Sequence, residues 1–194
     1  MSDVVTLPFL GERTYLHGTT LFDALRVRVP QGSAVVYKLS RLMETDTIEI
    51  VSGESVRKDT VTATFDWEIS GGGKGRISVV PSAISGSPRR VPFDEEAISA
   101  RARPVESDGL EFCGESPYSF ISTLVPLNKA LLNRRQSTPG KAKWLFTRID
   151  LSKIPDAFES LFVRYEGELF GGRIVRSAVT VDDSHVGQIY FSRV

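Results

Sequence analysis

The chain has 194 residues, 41% of them hydrophobic and 25% charged, which is the composition of a globular protein able to build its own core. Its 24 Lys+Arg balance 24 Asp+Glu, so a general nucleic-acid coat and an acidic tail are disfavoured. Cys113 is the single cysteine; it excludes an internal disulfide and a multi-cysteine zinc site, and leans toward a reducing compartment. No apolar run approaches the roughly 18 residues of a membrane span, and residues 1–18 lack the basic and apolar regions of a signal peptide. A cytoplasmic protein with no membrane partner is the expectation.

In chain order, the first helical signal starts at Thr20, with Asp23 three residues on as a capping partner, Leu21, Phe22 and Leu25 as the apolar face, and Pro30 closing it. His17 precedes that start. Residues 35–43 and their extension 47–51 alternate as half-buried strands do. The cleanest alternation is 61–69, where every odd position is apolar and every even one polar. Gly71 to Gly75 resemble a phosphate loop only superficially: the Lys-Ser/Thr and following helix are missing, and strands flank the segment on both sides, so a hairpin turn is expected.

Residues 81–109 hold Pro81, Pro88, Pro92 and Pro104 with clustered charges and read as a crossing linker, with a weak edge strand over 98–105. Ser116-Pro117 reads as N-cap and N1 of a second helix running to about Arg135. Ile121, Leu124, Val125, Leu131 and Leu132 form its apolar stripe, Asn128 lies near that stripe, and Pro126 sits inside as a source of a kink. Strands follow over 143–151, 161–169 (Leu161, Val163, Tyr165 and Leu169 on one face), 173–181 and 186–194. The Asp182-Asp183-Ser184-His185 stretch reads as a polar turn rather than a metal site, and Cys113 as a small buried apolar residue.

An internal echo appears at a shift of one hundred residues. Phe65-Asp66 matches Tyr165-Glu166, Glu68 to Gly72 matches Glu168 to Gly172, and Arg76 and Val79 match Arg176 and Val179. Each half therefore reads as a helix followed by antiparallel strands: a first unit over 1–80, the linker over 81–109, and a second unit over 110–194, in one α+β body.

This doubled order of elements resembles the double hot-dog fold, in which a curved antiparallel sheet wraps a central helix. The resemblance covers nearly the whole chain but rests on element order alone. It implies acyl-thioester chemistry, as a thioesterase or a hydroxyacyl dehydratase acting on acyl-coenzyme A or acyl carrier protein, with sites between the two units near the start of a central helix. The dehydratase His-Phe-Pro-type motif is absent, since Gly18-Thr19 follow His17. A β-sandwich or barrel with decorating helices fits the strands equally well.

On this reading His17 is the candidate general base, near-neutral imidazole being suited to that work. Glu115 is the acid or water activator, a role that requires partial burial, and Asp23 is a supporting group. Gly18, Thr19, Ser116, Tyr118 and Ser119 would line the ligand at the two helix starts, and Asn128 would orient a ligand or water. From Lys129 through Arg134 and Arg135 to Lys141, Lys143 and Arg148 there is no acid until Asp150, a local positive segment suited to the carrier's phosphates or acidic face. No metal or cofactor is called for. The competing expectations are a non-catalytic module for a hydrophobic ligand or a protein on the same scaffold and, more weakly, RNA or nucleotide binding through residues 129–148. The oligomeric state, monomer or homo-oligomer, is left open.

Overall fold

The computed structural model describes residues 2–53, 56–84, 89–136 and 143–194. The chain divides into two compact units, Met1–Phe93 and Asp94–Val194, so the boundary falls inside the 81–109 segment. Among the described residues no helix is long and apolar enough to cross a membrane.

The first unit comprises β1 (Ser2–Thr6), β2 (Phe9–Leu10), α1 (Gly18–Arg26), β3 (Ala34–Leu39), β4 (Thr47–Ser52), β5 (Ala63–Glu68), β6 (Lys74–Pro81) and β7 (Arg90–Val91). Its main sheet is antiparallel throughout, in the order β1-β4-β6-β5-β3. The period-two pattern sets the faces: Ala63 and Phe65 are fully buried, while Thr64 and Asp66 are only half-buried. The short helix α1 buries Leu21, Phe22 and Leu25 completely. Phe22 meets Tyr37 edge-on at 5.6 Å and Phe65 at 5.2 Å between ring centroids, so one aromatic cluster joins helix and sheet. The β5–β6 hairpin closes through Gly71 and Gly72, at φ +108° and +99°, values that only glycine takes without strain.

The second unit comprises α2 (Glu95–Arg101), β8 (Arg103–Val105), β9 (Gly109–Cys113), α3 (Phe120–Arg135), β10 (Trp144–Leu151), β11 (Ser160–Leu169), β12 (Ile174–Val181) and β13 (Ser184–Arg193). Its antiparallel sheet runs β10-β13-β12-β11-β9-β8. Helix α3 is buried on nearly every side, from Phe120 through Asn128 and again at Leu131 and Leu132; it is a core helix rather than a one-faced surface helix. Pro126 sits inside it, and the helix continues for more than two further turns, to Arg135.

With the short elements β2, β7, α2 and β8 set aside, both units follow one plan: a strand, the helix, then four strands. The strand before the helix (β1, β9) and the strand after it (β3, β10) stand on opposite sides of the three remaining strands. The hundred-residue echo acquires physical content here. Arg76 grips Asp66 across the β5–β6 hairpin at 2.5 and 2.9 Å, and Arg176 pairs with Glu166 across β11–β12 at 2.8 Å. The echoed hairpins nevertheless occupy different places. β6 and β12 are both central, but β5 stands on the side of the strand after its helix, and β11 on the side of the strand before its helix.

Several local expectations are corrected. The helix expected at Thr20 starts at Gly18, and Asp23 lies 3.5 Å from Arg26 instead of serving as a cap partner. The strand expected over 35–43 ends at Leu39. The linker carries β7, α2 and β8: Asp94 caps α2 by accepting from Ala97 N at 2.9 Å, so the weak alternation over 98–105 divides into helix up to Arg101 and the edge strand β8 from Arg103. Pro88 lies outside the described residues. Helix α3 begins at Phe120 with Ser119 as its cap, not at Pro117 with Ser116. A bulge between Tyr165 and Gly167 shifts the pairing, so Leu169 sits opposite Ile174 and leaves the face shared by Leu161, Val163 and Tyr165. Cys113 is half-buried beside Arg103 rather than enclosed in the core.

Candidate functional site

In the first unit the polar centre is the start of α1. Leu16, 1% exposed, bridges to Met43 and delivers His17 to the N-cap position. There the His17 carbonyl accepts from Leu21 N at 3.2 Å while its imidazole makes no capping bond to the helix backbone. The first-turn N–H groups of an α-helix have no intrahelical acceptor, and here no side-chain cap from His17 covers them. The imidazole turns to its neighbour instead: Nδ1 lies 2.8 Å from Thr19 Oγ1. When Nδ1–H donates to Thr19, Nε2 is the basic nitrogen. The ring is 9% exposed and tilts against Phe93 at 6.3 Å, with the Arg13 guanidinium 5.6 Å from that same ring. Tyr37, wholly buried in β3, donates its hydroxyl to Gly18 O at 3.1 Å and fixes the first turn against the sheet. Burial pushes its phenol far above the ordinary value.

Gly18 and Thr19 are buried in the first turn of α1, next to His17. Asp23 is six residues further, about 9 Å along the axis at helical rise, and faces Arg26. Sequence reasoning passed over Tyr37 and Phe93, the groups that hold this start in place. Tyr37 lay within a recognised strand, but nothing local pairs it with residue 18, nineteen positions away.

In the second unit the expected helix-start residues are placed as follows. Glu115 is exposed in the loop before α3 and outside its first turn, which contains no acid; the burial that would make it a useful base is missing. Ser116 Oγ sits 2.7 Å from Thr123 Oγ1 and accepts from Tyr118 N at 3.2 Å. The Tyr118 hydroxyl accepts from Asp94 N at 3.0 Å. Ser119 caps Ser122 N at 3.3 Å. These residues form a self-satisfied capping network that shapes the loop.

Asn128 differs. It is 0% exposed on α3, and neither its Oδ1 nor its Nδ2 has a hydrogen-bond partner among the described residues. Leaving a buried polar group unmet costs about 1–3 kcal/mol, so such an amide, flanked at spacings of three and four by Leu124, Val125, Leu131 and Leu132, demands an explanation.

Three of the positive segment's six basic side chains are engaged by other residues. Lys129 reaches Glu95 at 3.1 Å, Arg148 grips Asp150 at 2.7 and 2.6 Å, and Arg135 stacks on Tyr165 at 3.8 Å. Arg134 and Lys143 are exposed; Lys141 lies outside the described residues. His185 is exposed, and Asp182, in the left-handed region at φ +47°, accepts from the N–H groups of Glu159 and Ser160 at 3.0 and 2.8 Å. Those bonds hold its carboxyl below the usual range. No cluster of metal-binding side chains occurs among the described residues.

No family model matches this chain, and no curated protein sequence matches it. Solved structures do. A trans-AT PKS dehydratase domain from Brevibacillus brevis aligns over 100% of this chain and 93% of its own, at 11% identity and a TM-score of 0.50. A candidate thioesterase II from Thermobifida fusca aligns over 100% and 92%, at 15% identity and the same score. A bifunctional dehydratase-cyclase domain of ambruticin biosynthesis aligns over 100% and 91%, at 11% identity and again 0.50.

The chain has the double hot-dog fold. Its two β-α-β4 units correspond to the two halves of that architecture, α1 and α3 being the central helices. At these identities the likeness concerns the fold; what this double hot-dog does is decided by its own side chains.

Proposed function

We propose that the protein binds an acyl thioester, carried by coenzyme A or by an acyl carrier protein, and hydrolyses it. The observation that carries this reading is the fully buried, unbonded amide of Asn128 on α3. A carboxamide can both donate to a carbonyl oxygen and accept from a water or hydroxyl, so an acyl group and a water held on α3 would satisfy both atoms. His17 supplies the base. With its Nδ1 on Thr19, Nε2 takes a proton from water, the oxygen bonds to the thioester carbon, the C–S bond breaks, and the imidazolium returns the proton to the departing thiolate. The first-turn N–H groups of α1 suit a carbonyl oxygen gaining negative charge. Gly18 and Thr19 border that position, Asp23 supports the helix, and exposed Arg134 attracts the carrier's phosphate.

Hydrolysis is favoured over dehydration because the buried polar groups of α3 are Ser122, Thr123 and Asn128, none ionisable at neutral pH. Dehydration needs an acid to protonate the departing hydroxyl, and Glu115, the candidate, is exposed. The lack of a buried acid on α3 also favours, as the second reading, a module that binds the acyl group without turning it over.

The test is free-thiol release from a panel of acyl-coenzyme A esters and acyl-pantetheine thioesters, with enoyl-thioester hydration measured in parallel. His17→Ala and Asn128→Ala are compared with the parent. Thiol release lost in both variants supports hydrolysis. Hydration activity reverses the order of the two chemistries. A ligand-induced rise in melting temperature without turnover selects the binding module, and no response to any thioester overturns the proposal.

A further inference from the structure

The first unit carries a second candidate site, on the face of its sheet opposite α1. On that face Val4, Glu49 and Val80 stand in one row across β1, β4 and β6, with Val51 in the next. An open groove of about 850 Å³ runs over Glu49, Val51, Val80 and Pro81 and is bordered by Arg41 and Arg57. That volume lies within the usual range for small-molecule sites.

The charges in this groove are not all compensated. Arg57 is neutralised by Asp59, at 2.9 and 3.3 Å. Arg41 donates to the backbone carbonyl of Asp59, which satisfies a donor but leaves its positive charge without a carboxylate partner among the described residues. Glu49, half-buried, has no hydrogen bond or ion pair among the described residues. Arg41 and Glu49 therefore border one groove without pairing with each other, and an apolar floor of Val51 and Val80 accompanies them. A carboxylate beside aliphatic surface is incompletely hydrated and gains from a cationic partner more than an exposed one does.

We propose that this groove binds a small zwitterion whose ammonium and carboxylate groups are separated by an aliphatic stretch. The ammonium would sit on Glu49, the methylenes on Val51 and Val80, and the carboxylate on Arg41. Neither a plain fatty acid nor a plain amine uses both charges. The site is independent of the acyl-thioester reading, since it shares none of the residues named for that chemistry.

The experiment is a titration of the full chain with 6-aminohexanoate, hexylamine and hexanoate, followed by the backbone amide resonances of β4 and β6. Saturable shifts with 6-aminohexanoate, weaker ones with hexylamine and none with hexanoate are expected. Glu49→Gln and Arg41→Gln, both at the surface groove and compatible with folding, are each expected to weaken binding by about tenfold or more, the size of a lost charge-assisted bond. Equal binding of hexylamine and 6-aminohexanoate, indifference to either substitution, or no saturable shift into the millimolar range would overturn the proposal.

Discussion

Replacing Asn128 by leucine should make the protein more stable and less able to hold its ligand. The side chains share the same branching and number of non-hydrogen atoms, leucine being the bulkier, and every neighbour of Asn128 on its own helix at spacings of three and four, namely Leu124, Val125, Leu131 and Leu132, is apolar and buried. The substitution removes two buried groups, Oδ1 and Nδ2, that find no partner. At about 1–3 kcal/mol for each unmet group, with part of the gain lost to imperfect repacking of a branched side chain, a net stabilisation of about 1–3 kcal/mol is expected. For a chain of this size each kcal/mol raises the melting temperature by about 2–4 °C. Urea unfolding of parent and variant, with circular dichroism and tryptophan fluorescence as coincident probes, reads the difference directly. The same variant should lose affinity for acyl thioesters, an exchange of function for stability seen where a site is built from unsatisfied groups. A destabilisation of more than about 1 kcal/mol, in the range of a lost hydrogen bond, would show that the amide is already bonded in the folded protein and would refute the reasoning.

Other consequences follow from named contacts. Tyr37→Phe leaves the ring cluster intact but strips Gly18 O of its donor; a loss of about 1–2 kcal/mol in urea unfolding is expected, with a larger fall in turnover than in ligand affinity, because the bond fixes the turn that carries His17. Asp182 has its folded-state pKa depressed below 3.8, so its contribution to stability is present above the unfolded-state value and lost as pH falls through the folded one. Asp182→Asn keeps an acceptor oxygen but does not titrate, so its melting temperature should decline less than the parent's on acidification below about pH 4. A methyl group added at Gly187 would collide with the carbonyl oxygen of Asp150 on the paired strand, at a φ of +154°; Gly187→Ala should unfold at markedly lower urea concentration, and an unchanged midpoint would contradict the close approach of β10 and β13. Thr19→Val removes the hydroxyl against His17 Nδ1 and should lower kcat and shift its pH profile with little change in KM.

The alternation around Phe65 and the apolar positions of α3 were legible because each is a strictly local pattern, although α3 proves to be buried on nearly every side rather than along one stripe. The hairpin echo was legible for the same reason, and its Asp66–Arg76 and Glu166–Arg176 pairs explain why those residues recur together. β1 escaped notice because almost all of it is exposed: it is held by ladder bonds to β4, which leave no hydrophobic period to read. The order of strands in each sheet depends on pairings across tens of residues, and no local period distinguishes β5 beside β3 from β11 beside β9. The start of α3 was displaced because Ser116 and Ser119 both resemble caps. Only the fold shows that Ser116 turns to Thr123, leaving Ser119 to meet Ser122. The positive polarity of 129–148 is offset only in part, because Lys129 meets Glu95 and Arg135 stacks on Tyr165, both outside that window, while Arg134 and Lys143 stay exposed.

The side-chain amide protons of Asn128 give the most direct view of the site. In a sample labelled with nitrogen-15 at asparagine, the Asn128 NH2 pair is assigned by its absence in Asn128→Leu and then followed as the protein is titrated with a non-hydrolysable thioether analogue of an acyl-coenzyme A. A saturable shift of that pair, with slowed exchange of its protons with solvent, is the result expected if this amide receives the acyl group. Saturable binding of the analogue that leaves the Asn128 pair unmoved would contradict the claim.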